Sequence, residues 1–469
     1  MKVFGIFLKK IGLHRERPRL FTESKRLELA GLTPGTRFAI EEVKSGGIRL
    51  LPSAQGEYTV SRKEKGGSIS PVVDLNSRVA LRQMADEAVV RLVIREDGVY
   101  ILPLASEVAK RDRVERLMAK VKQGTLSTAS LAHGGGVLTN AAHLGLQDAG
   151  LESELAMLCE IDETYALQSI EHNPSCSRNA LAAVMPMQEL AMDSFAMSQL
   201  PKVELLEMGL PCSGASVAGV SKRKLTMMED HPEVGHLVHA ALCLIQKMQP
   251  AVVVLENVEG YAKSASAQIL RHQLRDMGYS VSEHVLRAQD FGSLENRVRW
   301  ALVALTDGLG TMPVTIAPQM AQKAVLGDVL EDIADDDPRW SRLDYLVKKE
   351  KRDLAAGKGF AMQTVDEQSC SVPTIRKHYN KGGSTDPYVR HPSVDGLLRK
   401  FTPQEIAKIK GVDPMLIQGM SATSAIELLG QSVVVQPFRA LFKQIGEVVK
   451  SSTGVMSMPS MGMRACIAG

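Results

Sequence analysis

Val203-Glu204-Leu205-Leu206-Glu207-Met208-Gly209-Leu210-Pro211-Cys212-Ser213-Gly214 and Val252-Val253-Val254-Leu255-Glu256-Asn257-Val258 set the fold; 44 residues separate Cys212 from Glu256. Each is a short, apolar, β-prone run that ends in polar residues, and Val234–Met248 between them has helical character and stops at Pro250. Arg297-Val298-Arg299 follows 41 residues after Glu256, ahead of the apolar run Trp300 to Leu305. The same rhythm extends in both directions. Gly134-Gly135-Gly136 precedes a helix over Leu138–Ala149, and the strand Leu155–Cys159 ends in Glu160-Ile161-Asp162 before a helix over Glu163–Glu171. A helix over Ala265–Met277 ends at Gly278, and a strand over Val281–Arg287 follows it. Strands alternating with helices from about 126 to 306 predict an α/β, mostly parallel, doubly wound sheet. Ligands bind such sheets at the carboxyl ends of the strands, so a thiol, a carboxylate and paired guanidiniums are expected to converge on one pocket. That set suits chemistry on an electron-poor, planar, hydrogen-bonding substrate, with a pyrimidine base as the candidate.

The flanks read differently. Residues 1–125 hold short strands and glycine-bearing turns: Thr36–Val43, Ile48–Leu51, Tyr58–Arg62, and a hairpin of Val89–Arg95 with Val99–Leu104 around Glu96-Asp97-Gly98. We read them as a β-rich accessory domain. Its first 27 residues carry eight Lys or Arg against two Glu, suited to a phosphate backbone or to a solvated terminal extension. Ser106 is placed to cap a helix through about Val121, apolar at Val108, Val114, Leu117, Met118 and Val121. Residues 307–398 are rich in charge, Gly and Pro, as in a smaller irregular domain; 399–450 return to helical patterns, including Phe438–Lys450; 451–469 read as a disordered tail.

At 469 residues the chain has room for two or three domains, and 44% apolar with 23% charged residues is ordinary globular composition. A net charge of +3 restricts any basic surface to local patches, and 4% aromatics argues against extended base-stacking platforms. The six cysteines form no CxxC and no close pair, which disfavours a disulfide framework or zinc site and fits a reducing, cytoplasmic setting. Met1 to Leu13, interrupted by Lys9 and Lys10, suits neither a signal peptide nor a membrane span. Cys159 and Cys243 lie in apolar runs and read as packing residues.

Three glycines before a helix let a ligand approach the backbone, or simply make a tight turn. Glu160, 24 residues past Gly136 at the tip of the next strand, stands where dinucleotide-type folds bind ribose hydroxyls; the pattern is not GxGxxG, which favours a nucleoside cofactor over a pyrophosphate one. Cys212 is either a buried structural cysteine or a nucleophile whose thiolate needs nearby positive charge, which Arg297 and Arg299 could supply. Glu256 is either a surface carboxylate or, because Val252–Leu255 looks like a central strand, a partly buried proton donor and acceptor.

Taken in order, Gly134–Gly136, Glu160, Pro211-Cys212, Glu256-Asn257-Val258, Arg297-x-Arg299, Arg399-x-Phe401-Thr402-Pro403-x-Glu405 and Gly430-Gln431-Ser432-Val433-Val434 resemble the DNA (cytosine-5)-methyltransferases over about 130–305 and 395–450. The resemblance implies a class I methyltransferase (Rossmann-like) sheet, with the target-recognition domain at 307–398. It further implies S-adenosylmethionine across the glycine loop, contacted by Glu160, Ile161, Glu189, Pro211, Gln431 and Ser432, and a cytosine flipped out of duplex DNA. Cys212 would add to ring carbon 6, Glu256 would hold ring nitrogen 3, and Arg297 would assist at the carbonyl side with Arg299 structural. DNA phosphates would meet Ser213, Lys222, Arg223 and Lys224 after the cysteine, and Arg376 and Lys377 in the recognition region. The enzyme is expected to need no metal and no membrane, and to act on double-stranded DNA as a monomer, as a stand-alone enzyme or beside a restriction nuclease. A DNA-binding regulator with reduced turnover and an enzyme acting on RNA are the rivals.

The chain departs from the family pattern at three places. Leu131 stands where an aromatic is usual, Glu295 where Gln is common, and Gln431 where Asn is usual. Glu189 or Asp193 would serve the adenine amine, Glu189 by spacing.

Overall fold

The computed structural model describes residues 1–456 apart from 45, 78, 85–87, 212–225, 319–323 and 359–360. It divides into two compact units, Met1–Arg111 and Asp112–Gly469.

The first unit is built from antiparallel β-structure. A six-stranded sheet runs Val3–Lys10, Val89–Arg95, Gly98–Pro103, Ile48–Pro52, Arg37–Glu42, Tyr58–Thr59, and a four-stranded sheet runs Gly12–His14, Arg17–Glu23, Ser68–Asn76, Ser61–Lys65. Leu20, Leu27, Leu50, Val73, Leu92 and Ile94 are wholly buried in its core. The hairpin around Glu96-Asp97-Gly98 is present, with Arg95 opposite Gly98. The opening residues are not a solvated extension. Val3–Lys10 is an edge strand paired along Val89–Arg95, and Arg17–Glu23 pairs with Ser68–Asn76, because alternating Pro18, Leu20 and Thr22 bury one face. The helix that begins at the end of this unit spans Ala105–Gln123, so Ser106 lies inside its first turn and is not its cap. Its buried positions are Arg113 and Leu117. Arg113 donates to Thr306 Oγ1, Gln249 Oε1 and the Met277 carbonyl at 2.7–3.0 Å, and it lies over the Tyr279 ring.

The second unit carries a seven-stranded sheet, numbered here within the unit: β1 Thr125–Leu131, β2 Glu152–Glu160, β3 Cys176–Val184, β4 Leu205–Gly209, β5 Val252–Asn257, β6 Tyr279–Arg287 and β7 Val298–Thr306. Their order is β3-β2-β1-β4-β5-β7-β6. Neighbours from β3 to β5 are parallel, and β7 is antiparallel to both β5 and β6. Helices α1 Val137–Asp148, α2 Glu163–His172, α3 Leu237–Met248 and α4 Ala265–Asp276 alternate with the strands. Val252–Leu255 and Trp300–Leu305 are at most 2% exposed, as strands covered on both faces must be. Each buried Val or Leu among them contributes roughly 1.5–3 kcal/mol. The strand order reverses between β1 and β4, so the crevice of this fold opens at their carboxyl ends.

Three helices close the unit: α5 Pro403–Lys410, α6 Ala422–Gln431 and α7 Val435–Met456. The last continues past Lys450, so Ser451–Met456 are helical rather than the start of an irregular tail; residues 457–469 lie outside the described set. α7 packs on α1 where Gly145 has no side chain, since a Cβ there would stand 2.3 Å from the Arg439 carbonyl. Arg439 also holds Asp148 with two bonds of 2.7 Å. Residues 307–398 contribute short strands and one longer helix, Asp344–Ala355.

Candidate active site

β1 and β4 deliver the two halves of the site. Past Leu131 the chain turns sharply, with Ala132, Gly134 and Gly136 at positive φ, before α1 begins. Glu160, at the end of β2, reaches across to this turn. Its Oε2 accepts from the Gly134 N–H at 2.6 Å, while Oε1 accepts from Ile161 and Asp162 N–H at 3.0 Å each. The carboxylate therefore fixes the glycine turn to the β2 tip. Gly135 is required by its surroundings, because a Cβ there would lie 2.3 Å from Leu428 of α6. Leu131 is fully buried in the sheet and offers no surface for stacking on a ligand. Ile161, 69% exposed beside Glu160, is the apolar group presented there. Glu189 is exposed on the short helix Met187–Met192, and Asp193 caps the next helix, accepting from Phe195 and Ala196 N–H.

β4 and β5 form the second half. Gly209 pairs with Glu256, and a Cβ on Gly209 would meet Glu256 Oε2 at 3.5 Å. Glu256 Oε1 lies 2.7 Å from Arg299 Nε, with the two side chains about equally shielded at 14% and 15% exposure. Asn257 is buried and donates its amide to the Leu210 carbonyl at 3.0 Å, tying down the segment that leaves β4. Pro211 ends the described chain here. Cys212, Ser213, Lys222, Arg223 and Lys224 lie outside the described residues. Of the other cysteines, Cys159 is buried on β2 and burial pushes its thiol up to about 12, which suits packing and not nucleophilic attack. Cys243 is only half-buried.

The two arginines of the pair have different surroundings. Arg299, and not Arg297, reaches Glu256. Arg297 is buried 3.4 Å from Glu295 Oε1, from the Ile375 carbonyl and from the Gly430 carbonyl. The cause is a backbone turn: Arg297 N–H donates to the Glu295 carbonyl at 3.0 Å, so Arg297 stands outside the alternation of β7 that aims Arg299. The departure at Glu295 has a partner. Its Oε2 is 2.6 Å from Lys410 Nζ, both fully buried, and its Oε1 accepts from Ile375 N–H at 2.9 Å. Burial alone would raise the Glu295 carboxyl, but Lys410 and Arg297 outweigh it and hold it below the ordinary range. Burial pushes Lys410 down to about 7, with Glu295 opposing.

Arg399 and Glu405 form the best-satisfied buried pair. Arg399 donates twice to the carboxylate at 2.7 Å, Thr402 and Glu331 N–H donate to it at 2.9 Å, and Thr402 caps α5 with Pro403 at its start. At the end of α6, Gly430 touches the 307–398 segment; a Cβ there would be 2.4 Å from the Arg376 carbonyl. Gln431 is exposed, and the Ser432 hydroxyl donates to the Leu429 carbonyl at 2.8 Å. Arg376 is held by Asp386 at 2.7 and 3.0 Å, and both it and Lys377 are exposed.

Residues that the sequence reading passed over lie beneath the glycine turn. Glu207 on β4, Ser130 and His133 around the end of β1, and Thr139 on α1 form one buried polar group. A charged residue inside the apolar run Leu205–Met208 was its visible signal.

Comparison with known proteins agrees with this geometry. The family model for C-5 cytosine-specific DNA methylase matches residues 139–447, beginning just past the glycine turn. The chain belongs to that family and is a DNA (cytosine-5)-methyltransferase. It is similar to the Type II methyltransferase M.NlaX of Neisseria lactamica, 28% identical over 310 residues spanning 64% of this chain and 91% of that protein. It is also similar to the Type II methyltransferase M.SsoII of Shigella sonnei, 29% identical over 255 residues spanning 52% and 64%. The crystal structure of the S. pombe Dnmt2 methyltransferase shares the fold, with a TM-score of 0.52 at 18% identity over 71% of this chain and all of that one. Among the described residues no helix is long and apolar enough to cross a membrane.

Proposed function

We propose that this methyltransferase modifies cytosine within a specific duplex DNA sequence, in a setting like that of the Type II enzymes it resembles, through Cys212, Glu256 and Arg299. The carrying observation is the Arg299–Glu256 pair beside Gly209, at the mouth of the strand that leads to Pro211-Cys212. S-adenosylmethionine supplies an electrophilic methyl group when bound. The residues around the glycine turn fit that donor: Gly134 leaves open space where a side chain would stand, Glu160 lines the turn, and Ile161 offers an exposed apolar edge. Pro211, Gln431 and Ser432 flank the same crevice in this reading, and Glu189 would have to reach it from the Met187–Met192 helix.

Base flipping brings the cytosine out of the duplex into the pocket. The Cys212 thiolate adds to ring carbon 6 and makes carbon 5 electron-rich. Glu256 holds ring nitrogen 3, with Arg299 fixing the carboxylate and facing the base carbonyl. Carbon 5 would then take the methyl group that the donor supplies when bound, after which loss of the carbon-5 proton and departure of the thiol restore the ring. Arg297 serves as a strut between Glu295, Ile375 and Gly430. Lys222, Arg223, Lys224 and Lys377 are the phosphate contacts, while Arg376 is engaged by Asp386.

Methyl transfer from labelled donor to duplex DNA tests the assignment. Cys212→Ser abolishes transfer, and Arg299→Ala lowers kcat by about 10²–10³. Arg297→Ala lowers the melting temperature more than it lowers kcat in the fraction that stays folded. Full activity of Arg299→Ala, or label entering RNA and not DNA, refutes the reading.

A further inference from the structure

The glycine turn and the catalytic strand are joined by buried side chains that the reaction above does not use. Glu207 lies on β4, in register with Ser130 on β1, and two residues before Gly209. It is 2% exposed and accepts from the Thr139 hydroxyl at 2.5 Å and from Ser130. His133 continues the chain: Nδ1 lies 2.8 Å from Ser130 Oγ and 3.2 Å from Thr139 Oγ1, and Nε2 lies 2.7 Å from Ser169 Oγ. Asn173 then donates to the Gly136 carbonyl at 3.1 Å. The turn is seated on this network so closely that a Cβ on Gly136 would fall within 2.5–2.9 Å of Asn173, Ser169 and His133.

From this connectivity we infer that Glu207 is a positioning residue for methyl transfer, holding the glycine turn in fixed register with the strand that leads to Cys212. The inference rests on the reading of that turn as the donor's seat. Three features support it. The network touches the turn on both sides, at His133 and at Gly136, so displacement of one end moves the whole loop. Its members are fully enclosed, so a lost partner leaves a polar atom with no water to replace it. Burial also pushes His133 down to about 4 and Glu207 up to about 7, so the imidazole is neutral near pH 7 and the carboxyl is poised to keep its proton. Glu256, on the neighbouring strand, adds to the upward push on Glu207. Glutamine matches this side chain in size and keeps an oxygen that accepts from the hydroxyls.

The test uses the full chain, with calorimetry for S-adenosylmethionine binding and a single-turnover methyl-transfer rate at saturating donor. Glu207→Leu and Thr139→Val are each expected to weaken donor binding about tenfold, while duplex DNA affinity changes by less than about twofold. Glu207→Gln is expected to restore donor binding to within about threefold of the parent. Parent-like donor binding and rate in a folded Glu207→Leu protein overturn the inference, as does equal loss of donor and DNA affinity. If Glu207→Leu does not fold, Thr139→Val decides by the same outcomes. Absence of donor binding by the parent protein itself refutes the reading of the turn, and the inference falls with it.

Discussion

Glu207 and Glu405 are carboxyl groups sealed inside the same unit, and their surroundings treat them in opposite ways. Glu405 receives two charged hydrogen bonds from Arg399 and two more from backbone N–H groups. Glu207 receives hydroxyls from Thr139 and Ser130, and burial pushes it up to about 7. A buried carboxylate held by a guanidinium fork acts as a rivet; Glu207, among hydroxyls, sits near its protonation threshold. The rivet stands where Glu331 of the 307–398 segment meets α5. The threshold group stands beneath the glycine turn. Lys410 and Glu295 occupy an intermediate position, an ion pair with a single close contact in which burial already works against the cation.

The largest effect is expected at the rivet. Glu405→Gln leaves Arg399 buried against half a partner and should lower the unfolding free energy by about 4 kcal/mol in a urea titration. A loss below about 1 kcal/mol would erase the contrast with Glu207. Lys410→Met should be next, destabilising by about 3 kcal/mol, because Glu295 then loses its closest cation. Combining it with Glu295→Gln should return part of that loss, and additive losses would show that the two groups do not act as a pair.

The smallest effect concerns pH. The folded-state value for Glu207, about 7, exceeds its ordinary 4.5, so the folded protein holds this proton more tightly than the unfolded chain does. Its stabilising contribution is complete below about 4.5 and is lost as pH rises through about 7, by at most about 3 kcal/mol at 1.36 kcal/mol per unit. Glu207→Gln has no such proton to lose. The stability of the parent relative to this variant should therefore fall between pH 5 and pH 8, and a constant difference would place Glu207 in a better-paired site than its contacts indicate.

Much of this site was legible before any coordinates. The apolar runs of β4, β5 and β7 are short, continuous and bounded by turns, so their burial and their polar ends follow from pattern alone. The segment Arg399 to Glu405 contains its own geometry, a capping box with proline in the first turn. Other features were invisible for identifiable reasons. β3 has a mixed, half-exposed pattern because it is an edge strand, and Val3–Lys10 is an edge strand too, exposed at alternate positions. Arg297 and Arg299 share a spacing that suggests a common face, and a turn at Glu295 breaks that face. Lys410 looks like an ordinary cation near a helix end until Glu295 appears beside it.

By itself the sequence determined the alternating α/β sheet, the glycine turn, the carboxylate of Glu256 and the family, because periodicity, turn chemistry and motif order are properties of neighbours along the chain. The tertiary structure decided which arginine serves Glu256, what balances Glu295, and that Glu207 and His133 lie beneath the turn. Those outcomes depend on groups up to 115 residues apart, as Glu295 and Lys410 are, meeting where water is excluded. There the strength of an electrostatic contact is set by burial and by the partner that folding happens to supply.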